Sequence, residues 1–267
     1  SFIFDRRGNI ILSVSDDRSA KIWDSSTGNL IRNLFKTGYS DFSGAIFSPD
    51  GKNYMTRSER ETNVLATDSE NNLFTINTIS ITSPCFSPDS KNVLAVGNLY
   101  NRNGKWKNER DISFSFSFDS AGLWGPIPGL YEAASGKLLC TYIDTASIDI
   151  QNDFVGNDVP YYCIGFSPNG KNIITISDKC RIWDAERGIL LYTIEGQYDE
   201  RTSFIYSPDS KRIILITGTE TRLFDAVSGR LIHTYDAPNF RMYNLSEENR
   251  QYIPTAGLSK NGKNLFI

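Results

Sequence analysis

Histidine occurs once in these 267 residues, as His233, and methionine only twice. A Ser–His–Asp triad would have to be built on His233, and no GxSxG elbow accompanies it. His233 lies in LIHTYD, where it reads as an exposed residue of an outer strand. The four cysteines, Cys85, Cys140, Cys163 and Cys180, contain no CxxC pair, and a single histidine is too few to complete a zinc site with them. They read as small buried residues of a reducing compartment, so a cytoplasmic location is expected. Glycine patterns of the GxGxxG or P-loop type are absent, which removes the usual phosphate cradles, and no cofactor is expected. No apolar run approaches the ~20 residues that span a bilayer, so no membrane partner is expected. The net charge is −3 and the pI about 5.3, which gives no general attraction to phosphate; nucleic acid is not an expected partner. Asp149, Asp153 and Asp158 do not follow the spacing of a calcium loop, and no metal site is expected there. Paired carboxylates for glycoside hydrolysis could still come together from distant segments.

What the sequence does contain is a repeat. FSPDG at 47–51, FSPDS at 86–90, FSPNG at 166–170 and YSPDS at 206–210 are joined by weaker copies, FDRRG at 4–8 and LSKNG at 258–262. Apolar runs follow at once: NIILSV at 9–14, KNVLAV at 91–96, KNIITI at 171–176 and KRIILI at 211–216. The spacing between copies is 43, 39, 80, 40 and 52 residues, a basic period of about 40. A second motif keeps a fixed offset: KIWDSSTGNLI at 21–31, RIWDAERGILL at 181–191 and RLFDAVSGRLI at 222–232, with LYEAASGKLL at 130–139 and ATDSENNLF at 66–74 as weaker copies.

Each repeat therefore holds four short apolar stretches, here a to d, divided by turn residues. Pro-Asp-Gly and Asn-Gly supply tight turns because Pro presets φ and Gly or Asn tolerates a positive φ. The run after that turn is apolar on both faces, which predicts a central strand covered on both sides. LIRNLF, LLYTIE and LIHTYD, after the second turn, are more polar and predict an edge strand half in water. Four antiparallel strands of graded burial, repeated every 40 residues, predict an all-β β-propeller.

With Trp23-Asp24, Trp183-Asp184 and the relaxed copy Phe224-Asp225, the sequence resembles the WD-repeat family. The resemblance implies a single incomplete propeller over 1–267, with repeats starting near 1, 42, 81, 160, 200 and 253. That is five four-stranded antiparallel blades plus a partial sixth, a fragment of a seven- or eight-bladed ring beside which other domains could be fused. It also implies a hydrogen-bond network in each blade, drawn here from Trp23, Ser15 and Asp17 and from Trp183, Ser177 and Asp178. The histidine of that network is replaced at Gly38-Tyr39, Gly156-Asn157 and Gly196-Gln197. The function implied is a non-catalytic scaffold for a protein or peptide partner. A catalytic or substrate-gating propeller, glycosidase-like or the propeller half of a serine peptidase, is the alternative.

The regularity breaks at three places. About 30 residues separate strand b near Val96 from strand c near Leu130, and they include Tyr100, Trp106, the charged KWKNERD and the alternating ISFSFSF. Taking FSFDS at 116–120 as another turn copy would put two blades in this interval. The segments 144–160, acidic and without Lys or Arg, and 237–255 are also long. In a four-stranded meander all three fall at the b–c and d–a end. Tyr100, Trp106, Phe154, Tyr161, Phe240 and Tyr243, on or beside them, are the candidate partner-binding residues.

Overall fold

The structure is a computed structural model and describes residues 2–15, 19–34, 42–58, 61–69, 71–77, 83–100, 124–143, 148–149, 154–155, 161–236, 257–258 and 265–266. Every regular element among them is a β-strand. The first blade is β1 (Phe2–Phe4), β2 (Ile10–Val14), β3 (Ala20–Asp24) and β4 (Leu30–Leu34); the second is β5 (Phe42–Phe47), β6 (Asn53–Ser58), β7 (Glu61–Ala66) and β8 (Asn72–Asn77). The third blade is β9 (Cys85–Phe86), β10 (Asn92–Tyr100), β11 (Trp124–Glu132) and β12 (Leu138–Thr141), to whose sheet β13 (Ile148–Asp149) and β14 (Phe154–Val155) are added. Strands β15 (Cys163–Phe166), β16 (Asn172–Ile176), β17 (Cys180–Asp184) and β18 (Leu190–Ile194) form the fourth blade. The fifth is β19 (Ser203–Tyr206), β20 (Arg212–Ile216), β21 (Glu220–Asp225) and β22 (Leu231–Asp236). A pair, β23 (Gly257–Leu258) and β24 (Leu265–Phe266), begins a sixth. Within each blade the four strands run in order as an antiparallel meander, as the 40-residue period predicts.

One serine organises the a–b turn of the second to fifth blades. Ser48 Oγ donates to Asp50 Oδ1 (2.7 Å) and accepts from the Asn53 amide (2.9 Å), and the Lys52 amide donates to the same carboxylate oxygen (3.1 Å). Ser87, Ser167 and Ser207 repeat this with Asp89, Asn169 and Asp209. In FDRRG the carboxylate of Asp5 takes over, accepting from the Ile10 amide at 2.9 Å. The turn then needs a left-handed residue, which is Gly51 (φ 75°) or Gly170 (φ 71°) in two copies but Ser90 (φ 65°) and Ser210 (φ 61°) in two others. A side chain is disfavoured there. The two serines are retained in that conformation by a bond that glycine lacks. Ser90 Oγ accepts from the Asp50 amide (3.0 Å), and Ser210 Oγ from the Asn169 amide (3.1 Å), each in the preceding blade.

The c–d turns of the first and fifth blades close on an aspartate, Asp24 and Asp225. Asp24 Oδ1 accepts from the hydroxyls of Ser26 and Thr27 (2.7 and 2.9 Å) and from their amides (3.0 and 2.8 Å). The Ser26 hydroxyl, then the Thr27 amide and hydroxyl, hold this carboxyl down at about 2. In all five blades the residue after this position, Ser25, Thr67, Ala133, Ala185 or Ala226, donates its amide to a carbonyl of the a–b turn: Asn9, Lys52, Lys91, Lys171 or Lys211 respectively. Both turns therefore sit at one end of each blade, and the b–c and d–a connections at the other.

A β-bulge recurs at one position of every c–d pair: Ile22/Trp23, Val64/Leu65, Leu130/Tyr131, Ile182/Trp183 and Leu223/Phe224. Trp23, Trp183 and Phe224 thus occupy equivalent places. Trp183 and Phe224 are buried, whereas Trp23 is only half-buried, with the Lys21 ammonium 5.9 Å from its ring centre. The hydrogen-bond partners differ from expectation as well. Trp23 Nε1 donates to Ser13 Oγ (2.8 Å) rather than to Ser15, and Trp183 Nε1 to Thr175 Oγ1 (2.9 Å) rather than to Ser177. Antiparallel register explains this, since Trp23 lies opposite Ile11 and Trp183 opposite Ile173, and Ser13 and Thr175 are the next residues on the same face of strand b. Asp17 lies outside the described residues.

The chain groups into two compact units, Ser1–Pro160 with Glu186–Gly188, and Tyr161–Ala185 with Ile189–Ile267. In the first, Leu12, Val14 and Ile22 pack with Phe47 and Tyr54, and Met55, Val64 and Ile76 with Phe86, Val93 and Tyr131. In the second, Ile174, Ile176 and Ile182 pack with Tyr206, Ile213 and Phe224. The cores thus lie between successive blades, which is why β10 and β16 are apolar on both faces. Trp183→Ala is expected to cost roughly 3–5 kcal/mol and Trp23→Ala about 1–3 kcal/mol, read from urea unfolding. Ser210→Ala should lose about 1–2 kcal/mol in the same assay, because strain remains without its bond. Ser210→Gly, which removes both, should stay within about 0.5 kcal/mol of the parent.

Candidate interaction surface

The third blade departs from its neighbours in one respect. β10 and β11 stay in register over nine residues, from Asn92 opposite Glu132 to Tyr100 opposite Trp124, whereas β2 and β3 pair over five. Residues 98–100 and 124–128, expected in the inserted loop, are therefore strand. The extension carries the pair beyond the ordinary blade, and Tyr100 and Trp124 end up roughly 27 Å from the a–b turn at ~3.3 Å per residue. Because β10 pairs directly with β11, the long interval holds one blade, and the two-blade parse fails.

Pro126 and Pro128 lie within β11, where proline is ordinarily disfavoured. Their placement shows why they are tolerated. The Tyr142 amide donates to the Pro128 carbonyl (2.9 Å) and the Glu132 amide to Lys137, so even-numbered residues of β11 point toward β12, while the Ala133 amide reaches Lys91 on the other side. The two missing N–H groups thus fall on the outer edge, and the ladder to β10 stays intact. β12 aligns with β11 only at residues 129–131. Beyond it, on the same edge, β14 runs parallel to β11 with Phe154 opposite Trp124, and β13 pairs with β14. Strands β13 and β14, which come from within 144–160, therefore stand at the tip of the b–c extension.

Of the six residues singled out in the sequence, Tyr100 and Phe154 are brought to this one end by their strands. Tyr161 is half-buried just before β15. Trp106, Phe240 and Tyr243 lie outside the described residues, as does all of 237–255. Sequence reasoning missed β13 and β14, whose two-residue strands carry too little pattern to be seen. It also missed a clasp between blades. The Arg32 guanidinium donates to the carbonyls of Thr67 (2.9 Å), Asp68 (3.1 Å) and Ser69 (3.1 Å) in the next c–d turn. At the same place in the fourth blade, the Tyr192 hydroxyl donates to the Ala226 carbonyl (2.6 Å). The signal for it was the glycine of Asp-x-x-[Ser/Thr]-Gly: a Cβ at Gly136 would lie 2.4 Å from Phe74, and one at Gly229 2.6 Å from Tyr192.

On strand c of the fourth and fifth blades, arginines make side-chain contacts toward the b–c and d–a end. Arg181 Nη1 donates to Asp178 Oδ1 (2.8 Å), which also accepts from Ser177 Oγ (2.8 Å). Arg222 donates to the Glu195 carbonyl (3.1 Å) and packs over Tyr198, 5.8 Å from the ring centre. A Cβ at Gly196 would lie 2.4 Å from that guanidinium, so this glycine serves close approach.

Among the described residues, no three His, Cys, Asp or Glu side chains are placed to hold a metal, and no helix is long and apolar enough to cross a membrane. His233 is exposed on β22, as its position predicts. All four cysteines are free thiols, but only Cys180 is buried; Cys85, Cys140 and Cys163 are half-buried, which corrects the expectation of four buried residues. The reason lies in strand position, since β9, β12 and β15 are first or last strands of their blades. Cys163 Sγ donates to the Thr202 carbonyl (3.2 Å), and burial pushes this thiol up to about 11. Burial drives Cys180 further up, against the opposing charges of Arg222 and Arg181.

Residues 1–24, which span β1 to β3 of the first blade, match the family described as WD domain, G-beta repeat. The match supports the WD-repeat likeness and, in general terms, a scaffold for protein interaction. No curated protein matches the chain. A thiol titrating near 11 is thiolate in only about one part in a thousand at pH 8, so neither Cys163 nor Cys180 is an activated nucleophile. Ellman's reagent at pH 8 should leave both unreacted in the folded chain and modify them on unfolding in urea.

Proposed function

We propose that this chain is a non-catalytic scaffold that binds a protein or peptide partner through the b–c and d–a end, centred on the extended hairpin of the third blade. The observation that supports this most directly is the meeting of two independent irregular segments, with β14 laid against β11 at Phe154 and Trp124. Insertions accumulate by drift at exposed turns, but drift does not bring one insertion back to extend the sheet of another. Tyr100 and Phe154 belong to this surface; Trp106, Tyr161, Phe240 and Tyr243 complete the proposed set. Large amphipathic rings dominate the energetics of interfaces. The reading includes a cytoplasmic location, with no cofactor and no nucleic-acid or membrane partner.

The test is to shorten the hairpin. Replacing 101–123 with Thr-Asn-Gly-Lys adds one strand pair and a two-residue turn beyond Tyr100 and Trp124, which preserves the register. The shortened chain should keep the parent's unfolding midpoint and lose the partners that the parent retains from extract. Phe154→Ala should weaken the same partners about tenfold or more. If both variants bind as the parent does, while charge reversal at the opposite end, such as Lys91→Glu, abolishes binding, the surface is misassigned.

A further inference from the structure

The a–b turn of the fourth blade differs from its counterparts at a chemically reactive place. Asn169 stands where Asp50, Asp89 and Asp209 stand, and Gly170 follows it. Asn-Gly pairs also occur at 103–104 and 261–262, outside the described residues. An asparagine that precedes glycine can react with its own backbone. The Gly170 nitrogen, once its proton is lost, attacks Asn169 Cγ; the side-chain nitrogen leaves as ammonia, and a cyclic imide remains. Glycine favours this step because no Cβ obstructs the approach. Water then opens the ring. Addition at the side-chain carbonyl breaks its bond to Gly170 and gives aspartate. Addition at the main-chain carbonyl breaks the original peptide bond and gives isoaspartate, with an extra carbon in the main chain. Water is the only co-reactant.

In the folded turn each reacting group is tied down. The Gly170 amide donates to the Ser167 carbonyl (2.8 Å). Asn169 Oδ1 accepts from Ser167 Oγ (2.7 Å) and from the Lys171 amide (3.0 Å), which fixes the position of Cγ. The main-chain amide of Asn169 donates to Ser210 Oγ of the fifth blade (3.1 Å). Asn169 is nevertheless exposed, so water reaches it as soon as these bonds open. The two products fit the turn unequally. Aspartate is what the corresponding turns hold, where the hydroxyls of Ser87 and Ser207 draw the carboxyls of Asp89 and Asp209 below the usual range. Isoaspartate lengthens the main chain just before Gly170, which holds a φ of 71°. It also displaces Lys171, whose carbonyl accepts from the Ala185 amide (2.9 Å) and so latches the two turns of this blade together.

We infer that Asn169 is a conditional deamidation site, preserved as the amide while the turn is closed and converted when it opens. Conversion to aspartate lets the turn close again with the bonds of its counterparts. Conversion to isoaspartate does not, and the latch to Ala185 is lost for good. The site thus keeps an irreversible record of opening in the fourth blade. It lies at the a–b and c–d end, so it stands or falls independently of the partner surface proposed above.

Peptide mapping by mass spectrometry, after incubation of the full chain at mildly alkaline pH, tests this. Unfolded in urea, Asn169 should deamidate as fast as Asn103 and Asn261. In the folded chain its rate should fall about tenfold or more, because reaction then waits on local opening. Ser167→Ala removes the hydroxyl that holds the side chain and should raise the folded-state rate about tenfold. Ser87→Ala makes the same change in the third blade and should leave the rate at Asn169 unaltered. Should Ser167→Ala fail to fold, Ser210→Gly carries the test: it releases the main-chain amide of Asn169 at little cost in stability and should speed the reaction. Asn169→Asp should keep the parent's unfolding midpoint, whereas chains enriched in isoaspartate at this position should unfold earlier. A folded chain that deamidates at Asn169 as fast as the unfolded one overturns the inference. So does a folded-state rate indifferent to both Ser167→Ala and Ser210→Gly, or an isoaspartate chain as stable as the parent.

Discussion

A four-stranded sheet cannot bury two apolar faces by itself, and everything else in this chain follows from that constraint. Val93, Leu94 and Ala95 are fully buried on consecutive positions of β10, and Ile173 and Ile174 likewise on β16. In an isolated blade half of these side chains would face water. Each blade is stable only when neighbours cover it, so the blade-to-blade contacts must be made as reproducibly as the strand pairs. The sequence meets this with devices that recur at fixed positions: the left-handed serine bonded to the preceding turn, the donor on strand d bonded to the following one, and the glycine that lets a ring lie against its backbone. A repeat protein is stabilised by just such nearest-neighbour terms.

How much was legible follows from where each signal resides. Four-stranded blades were readable because turn chemistry and period-two patterning are local, and six copies of one turn and five of the other support one another. Equivalence of Trp23, Trp183 and Phe224 was readable for the same reason. Their partners were not, because identifying Ser13 and Thr175 needs the register across two strands, and a family pattern shifted by two residues points to Ser15 and Ser177 instead. The half-burial of Trp23 depends on what covers the outer face of the first blade, which no local pattern records. Pro126 and Pro128 show a further non-local effect. Proline normally demotes a strand, but its cost falls only on the edge that its nitrogen faces, and that direction is fixed by pairing.

Strain and polarity show the same division between local and non-local causes. At Ser90 and Ser210 the local rule predicts glycine, and the rule fails because the hydroxyl has a partner some 40 residues away. Asp24 shows the opposite case, where every hydrogen bond that lowers its carboxyl comes from within the turn, so the motif Asp-Ser-Ser-Thr-Gly was interpretable without any tertiary context. Positions of the first kind look like errors in a sequence and are best regarded as contacts whose other half has yet to be found.

The same reasoning explains why irregularity gathers where it does. At the a–b and c–d end, each blade fastens its two turns to each other through a backbone bond, and an insertion in either turn would break it. Among the described residues the b–c and d–a connections carry no such latch common to the five blades, so length can change there without loss of core. In the third blade that freedom becomes ordered structure: a b–c ladder prolonged by four residue pairs, an outer edge that two prolines withdraw from further antiparallel pairing, and a short parallel strand from the next connection closing it at Trp124. An extension that merely drifted would present an open ladder and the hazard of indiscriminate strand addition. Blocking and covering one edge confines what the extension can pair with.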